Sequence, residues 1–160
     1  MDIVNASSSS PGAVQNRGGQ YLSFMLGSEE YAVDILRVRE IRGLCPVTPL
    51  PNAPPHVQGV MNLRGTVVPV VDLRQALGLP KAELNKFTVI IVLSVRNRTM
   101  GFVVDSVCEV LSLSPSDIET SPDLGTRVDA NVVGGIARTE GRFVVLLEPD
   151  RIGGSEAALP

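Results

Sequence analysis

The chain has 160 residues, the length of one domain or of two small barrels that share a core. With 44% hydrophobic and 19% charged residues, it has the composition of a globular protein that folds around an apolar core. Its net charge of -3 provides no concentrated positive surface, so binding to a nucleic-acid backbone is not expected.

The first elements in chain order are a hairpin, a short helix and a stiff loop. Two β-rich runs, Tyr21–Leu26 and Tyr31–Val33, flank a four-residue turn. Asp34 then offers an N-cap oxygen, and apolar residues recur at helical spacing as far as Arg42, so a helix of two turns is expected there. Five prolines between residues 46 and 55 predict an extended surface loop, because each one fixes φ and removes a hydrogen-bond donor.

The rest of the chain is predicted to consist of strands joined by tight turns. Strand patterns on both sides of Arg64-Gly65 indicate a hairpin, and Asp72 is placed to cap a brief helix that ends near Gly78. A turn-rich segment from residue 114 to residue 131 predicts a long crossing loop, and Pro149 begins at most one helical turn. The other strand patterns cover residues 87–95, 100–104, 108–113, 132–138 and 143–147.

This count of elements predicts a mostly β fold. About eight to ten strands and three short helices are predicted, and none of the helices is long enough for the crossover that parallel strands require. The sheet is therefore expected to be mostly antiparallel. Closed barrels are favoured because many strands are apolar on both faces and because closure removes exposed edges.

Residues with catalytic or metal-binding chemistry are few. The chain has one histidine, His56, and two cysteines, Cys45 and Cys108, which are expected to be small buried apolar groups and not a disulfide. This set cannot build a common zinc site, and no catalytic residue or cofactor motif is identified. No apolar run approaches the roughly 20 residues of a membrane span and the first residues lack signal-peptide features, so a cytoplasmic protein without direct membrane insertion is expected.

Several motifs, taken together and in order, resemble the bacterial chemotaxis coupling proteins of the CheW family. The resemblance covers most of the chain and includes a Gly-x-x-Val-Asp-x-Val-x-x-Val-Leu pattern within residues 99–113 and a closing hairpin from Gly134 to Leu147. The earlier motifs are Tyr21-Leu22-Ser23-Phe24, Val38-Arg39-Glu40-Ile41, Val47-Thr48-Pro49-Leu50-Pro51, Gly59-Val60-Met61-Asn62-Leu63-Arg64-Gly65 and Val68-Pro69-Val70-Val71-Asp72-Leu73-Arg74.

The resemblance implies two five-stranded, SH3-like and OB-related barrels with partly exchanged strands and a few short helices. It implies a non-catalytic scaffold, without a cofactor, that joins the cytoplasmic tips of chemoreceptors to the regulatory domain of the histidine kinase CheA. The matching receptor-binding positions are Val38, Glu40, Gly59, Arg64 and Val110. Val38 and Val110 are expected to form an apolar floor for a receptor helix, Glu40 and Arg64 to make hydrogen bonds at its rim, and Gly59 to permit a close backbone approach. No kinase-binding residue is assigned.

These observations divide the chain into a flexible tail at residues 1–19, a double-barrel domain at residues 20–153 and a second flexible tail at residues 154–160. Three alternatives remain at this point: an adaptor of a non-flagellar chemosensory pathway, an OB-type nucleic-acid-binding module, and an enzyme with an unrecognised barrel site. Salt-dependent retention on single-stranded DNA distinguishes the nucleic-acid-binding module. Turnover that depends on His56 or Cys45 distinguishes the enzyme.

Overall fold

The computed structural model describes residues 18–119 and 132–152. Strands dominate these ranges, so the predicted mostly β class is confirmed. Both predicted tails, apart from Gly18 and Gly19, and most of the predicted crossing loop lie outside the described residues. The strands are β1 (Gly19–Leu26), β2 (Glu29–Asp34), β3 (Val38–Gly43), β4 (Val57–Leu63), β5 (Thr66–Asp72), β6 (Val89–Val95), β7 (Arg98–Val104), β8 (Ser106–Leu113), β9 (Ile118–Glu119), β10 (Val133–Thr139) and β11 (Arg142–Leu147). One α-helix, α1 (Leu73–Ala76), and 3-10 helical turns at Ile35–Arg37, Pro115–Asp117 and Pro149–Arg151 complete the elements.

The strands form two sheets that interleave along the sequence. Sheet A has the order β8-β1-β2-β11-β10-β9, and sheet B has the order β3-β6-β7-β5-β4. The chain thus begins in sheet A, builds all of sheet B, and returns to complete sheet A. No single cut in the sequence separates the two sheets, as the prediction of exchanged strands requires.

The sheets differ from the predicted five-stranded closed barrels in two respects. Sheet A contains a sixth strand, the two-residue β9, and neither sheet closes into a continuous ring of paired strands within the described residues. In sheet B the loop after β3 supplies a partial closure instead, because Thr48 forms an isolated bridge with Val60 of β4. The arrangement remains consistent with an SH3-like fold.

The pairing is mostly antiparallel, as predicted, with two parallel exceptions. β2 pairs with β11, and β5 pairs with β7, in parallel. The prediction of a mostly antiparallel fold was based on the lack of a long crossover helix. In the structure, the connection from β5 to β7 consists of α1, a loop and β6, which is long enough to bring the second strand back in the same direction.

Alternation along the strands divides the core into three apolar clusters. The central cluster lies between the sheets and contains Phe24 and Tyr31 from sheet A together with Leu93 and Phe102 from sheet B. The sheet-A cluster lies on the other face of sheet A, and the sheet-B cluster on the other face of sheet B. β6 contributes Ile91 and Leu93 to the central cluster and Ile90 and Val92 to the sheet-B cluster, so it is covered on both faces, as its apolar sequence predicted. The sheet-A cluster consists of Ala32, Leu111, Leu113, Ile118, Ala137, Val144 and Leu146, and the sheet-B cluster of Met61, Val68, Val70, Ile90 and Val92.

The helix predicted for residues 35–42 is wrong beyond its first turn. The Asp34 cap exists, since its Oδ1 accepts a hydrogen bond of 2.9 Å from the Leu36 amide, but helical geometry ends at Arg37. From Val38 the chain is extended and pairs with β6. Pairing with a strand that is covered on both faces outweighs the local helical spacing, and the β-branched residues of this segment also favour a strand.

The second predicted helix is confirmed. The Asp72 side chain accepts hydrogen bonds from the amides of Arg74 and Gln75, and Gly78 follows with a φ of +81°. None of the helices within the described ranges has the length and apolar character to cross a bilayer.

Candidate functional site

An ion pair joins two of the predicted site residues. Arg64 lies at the tight β4–β5 turn, where it has a φ of +51°, and Asn62 Oδ1 accepts a hydrogen bond of 2.8 Å from the Gly65 amide. The turn carries the Arg64 guanidinium to the edge of β3, where its Nη2 donates to Glu40 Oε1. The Arg64 side chain is 72% exposed and that of Glu40 is 23% exposed, so the pair presents its cation to solvent.

A third charged residue, Arg42, completes this group. Its Nη1 donates to Glu40 Oε2 at 3.0 Å, so the carboxylate binds a guanidinium at each oxygen. The hydrogen bond from Arg64, followed by the one from Arg42, lowers the pKa of Glu40 from its ordinary value. Glu40 is therefore ionised at neutral pH. Arg42 was not predicted as a site residue, because a basic residue at the end of a predicted helix needs no other explanation.

The predicted apolar residues Val38 and Val110 both lie at the border of the interface between the sheets. Val38 is opposite Leu93 in the β3–β6 ladder, and Val110 is opposite Leu22 in the β8–β1 ladder. Directly opposed residues share a face of a sheet, and Leu22 and Leu93 both belong to the central cluster. β3 and β8 are edge strands, which leaves Val110 48% exposed and Val38 partly buried.

A bulge in β3 separates the apolar and charged parts of the site. The register shifts between Val38 and Glu40, so that Val38 is opposite Leu93 whereas Glu40 is opposite Val92. Because neighbouring residues of β6 point to opposite faces, Glu40 lies on the face of sheet B opposite to that of Val38. The β3 edge therefore carries apolar side chains on one side and the Glu40 ion pairs on the other.

Ile41 is an apolar residue at this edge that the sequence analysis did not assign to the site. It is opposite Ile91, a member of the central cluster, yet it is 45% exposed. Leu36, in the 3-10 turn that leads into β3, is 86% exposed. The bulge places Ile41 three residues after Val38 on the same face, so the apolar spacing matches a helix and no strand alternation marks Ile41 in the sequence.

Gly59 has a backbone role within the chain. Its φ is +143°, and a Cβ added to it would lie 2.0 Å from the Thr48 carbonyl oxygen. The neighbouring Val60 exchanges two hydrogen bonds with Thr48, of 2.8 and 2.9 Å. Within the chain, the backbone that approaches Gly59 is the loop after β3, whereas the predicted approach was that of a receptor helix.

The surroundings of Cys45, one of the residues considered for an enzyme, are mostly apolar. Cys45 Sγ donates to Met61 Sδ at 3.6 Å, and a thioether is not a base that could activate a thiol. A cavity of about 640 Å³ lies beside Cys45, and its lining residues, which are mostly apolar, do not include His56. Within residues 18–119 and 132–152, no group of three histidine, cysteine or acidic residues is placed to hold a metal ion.

Comparison with known proteins identifies relatives over nearly the whole chain. A family model described as "CheW-like domain" matches residues 20–157. The chain is 42% identical to the chemotaxis protein CheW of Rhizobium meliloti, covering 88% of this chain and 91% of the relative, and 38% identical to that of Klebsiella aerogenes, covering 87% and 84%. Among solved structures it is similar to the scaffolding protein TtCheW of Thermoanaerobacter tengcongensis, with a TM-score of 0.80, 30% identity, and coverage of 84% of this chain and 92% of the other.

Proposed function

The chain belongs to the CheW family of chemotaxis scaffold proteins, and from this premise we propose that it couples the cytoplasmic tips of chemoreceptors to the histidine kinase CheA. It works by binding both partners at once and catalyses no reaction. It is brought to membrane-bound receptor arrays through these partners.

The observation that carries the receptor-binding part is the composition of the β3 edge. Val38 and the half-exposed Ile41 offer apolar contacts on one side of the strand, and Glu40 holds the exposed Arg64 on the other. An amphipathic receptor helix that lies along this edge meets apolar side chains with its apolar face and the ion pair with its polar face. Val110, at the border of sheet A, extends the apolar side.

The kinase is assigned to a surface away from the β3 edge, because one adaptor must hold both partners at the same time. The regulatory domain of CheA is the expected partner there, and the residues that bind it are left unassigned.

Reversal of the charge at Arg64 tests the receptor site. In a pull-down with a receptor cytoplasmic fragment, Arg64→Glu is expected to reduce affinity by about tenfold or more, because the substitution places a second carboxylate beside Glu40 and removes the exposed cation. The melting temperature is expected to stay within about 3 °C of the wild type, because exposed ion pairs contribute little to stability.

Arg98→Glu is the matched control. Arg98 is an exposed arginine at the start of β7, and its substitution makes the same change in net charge on the same sheet. Receptor binding that is unchanged in Arg64→Glu, or reduced equally in both variants, contradicts the proposed site.

A further inference from the structure

A second group of ion pairs holds the beginning of β3. Arg37, the residue before Val38, donates from Nε to the Ser94 carbonyl of β6 at 3.1 Å, and its Nη2 pairs with Asp150 Oδ1. Its Nη1 also lies 3.6 Å from Glu148 Oε1. The guanidinium is therefore bound at all three nitrogens. We call Arg37, Arg96, Glu148 and Asp150 together the Arg37–Asp150 cluster.

Asp150 binds a third part of the chain. Its Oδ1 also accepts a hydrogen bond of 2.8 Å from the Arg96 amide, in the β6–β7 turn, and its carbonyl accepts one of 2.8 Å from Arg96 Nε. Asp150 lies in the 3-10 turn that follows β11 of sheet A, and Arg96 lies in the β6–β7 turn of sheet B. Arg37 lies in the 3-10 turn that joins β2 of sheet A to β3 of sheet B. The Arg37–Asp150 cluster thus ties the end of sheet A to the β6–β7 turn of sheet B and to the point where the chain enters β3.

The Arg37–Asp150 cluster is connected to Val38 and Val110 through neighbouring elements of the chain. Ile152, two residues after Asp150, is buried in the central cluster between the sheets, and the 3-10 turn at Ile35–Arg37 contacts both β1 and β6. Val38 follows Arg37 directly, and Val110 lies on β8, which pairs with β1. The separation of Val38 and Val110 therefore depends on how the two sheets are held at this cluster.

We propose that Asp150 is a positioning residue: through Arg37 and Arg96 it fixes the orientation of sheet A relative to sheet B, and so sets the distance between Val38 and Val110 at the proposed receptor site. This inference rests on the proposed receptor-binding function. Asp150 itself does not touch the receptor in this mechanism. Removal of the Asp150 carboxylate is expected to weaken receptor binding, because it changes the spacing of the residues that contact the receptor.

Distances between spin labels measure the sheet orientation without any receptor. In a Cys45→Ser, Cys108→Ser background, labels are attached at Arg39→Cys on β3 and Ser112→Cys on β8, which are exposed positions of the two edge strands. The wild-type background is expected to give one narrow distance distribution. Asp150→Ala is expected to broaden or shift it, and Asp150→Asn, which keeps an acceptor for the Arg96 amide, to do so less.

Receptor affinity is measured in the same proteins without labels. Asp150→Ala is expected to raise the dissociation constant about fivefold, in line with loss of a partly exposed ion-pair network. Arg37→Gln removes the other member of the same ion pair and is expected to raise the dissociation constant by a similar factor. The differences from wild type are expected to shrink in 1 M salt, because screening already weakens the pairs there. Arg151→Ala, an exposed charged neighbour in the same turn, is the control and is expected to change neither measurement.

The outcomes separate the positioning role from the proposed function. A distance distribution that is unchanged in both Asp150→Ala and Arg37→Gln overturns the inference, whatever the receptor affinities of the variants are. A changed distribution with unchanged affinity overturns the positioning role. Failure of the wild type and Arg151→Ala to bind receptor contradicts the proposed function instead, and the distance measurement then still decides whether the cluster orients the sheets.

Discussion

Replacement of Gly59 by alanine is expected to be strongly destabilising, because the chain itself occupies the space of the missing side chain. An added Cβ would lie 2.0 Å from the Thr48 carbonyl oxygen, 2.6 Å from the Thr48 carbonyl carbon and 2.9 Å from the Cα of Pro49. All three are backbone atoms, so no rotamer change relieves the overlap. The loop must retreat by about 1 Å or more to restore ordinary contact distances.

The loss of stability follows from the interactions that this movement of the loop breaks. Thr48 and Val60 lose two backbone hydrogen bonds, worth about 1 kcal/mol each. Holding alanine at a φ of +143° adds about 1–3 kcal/mol of backbone strain. Gly59→Ala is therefore expected to lower the free energy of unfolding by about 3–5 kcal/mol, which corresponds to a fall in melting temperature of about 10 °C or more.

Thermal and urea unfolding, followed by circular dichroism, measure the effect. Gly43→Ala is the matched control, since Gly43 ends β3 with nothing within 4 Å of an added Cβ, and a change within about 0.5 kcal/mol is expected for it. Equal stability of Gly59→Ala and Gly43→Ala would refute the reasoning. Retained stability together with lost receptor binding would show that Gly59 serves the partner and not the Thr48 loop.

Two further predictions concern titratable groups. Hydrogen bonds from Arg74 lower the pKa of Asp105, so its ionised form stabilises the fold above about pH 4 and this contribution is lost as the pH falls through the lowered value. The gap in melting temperature between wild type and Asp105→Asn is thus expected to be widest at pH 7 and to close on acidification. A gap that is equally wide at pH 3 contradicts the assignment. Cys108 is exposed and not buried as predicted. Desolvation, followed by the charge of a nearby carboxylate, raises the pKa of Cys108. In a Cys45→Ser background its thiol is therefore expected to react with a disulfide reagent more slowly at pH 7.5 than a free thiol does, and a rate equal to that of glutathione would be the contrary result.

Local signals in the sequence were sufficient for the hairpin turns and for α1. The Asn62 side chain and the positive φ of Arg64 and Gly65 form a turn whose residues lie within four positions of one another. The Asp72 cap of α1 is equally local. Such features depend on the conformational preferences of a few adjacent residues, which the sequence displays directly.

β3 could not be predicted in the same way, because its conformation depends on a distant partner. Residues 35–42 satisfy a helical spacing, and only the presence of β6, about 50 residues later, makes the extended form more stable. The parallel pairing of β5 with β7 has the same origin. At β3 this long-range pairing overrides the local helical spacing.

The candidate site came from the family resemblance, and its geometry came from the structure. Glu40 and Arg64 are 24 residues apart, and their contact requires both the β3 strand and the β4–β5 turn to be in place. The bulge that turns Val38 and Glu40 to opposite faces leaves no local sequence signal, since it is a property of the register with β6. The same bulge hides Ile41, because it leaves Val38 and Ile41 three residues apart, a spacing typical of a helix.

The proposal that one adaptor holds receptor and kinase together is tested most directly by kinase recruitment to receptor-containing membranes. Purified CheA is sedimented with such membranes in the absence of this protein, in its presence, and in the presence of Arg64→Glu or Arg98→Glu. Kinase in the pellet is expected to require the wild-type protein or Arg98→Glu and to fall sharply with Arg64→Glu. Kinase that sediments equally well without the protein, or equally with all variants, would contradict the role of the β3 edge in coupling the two partners.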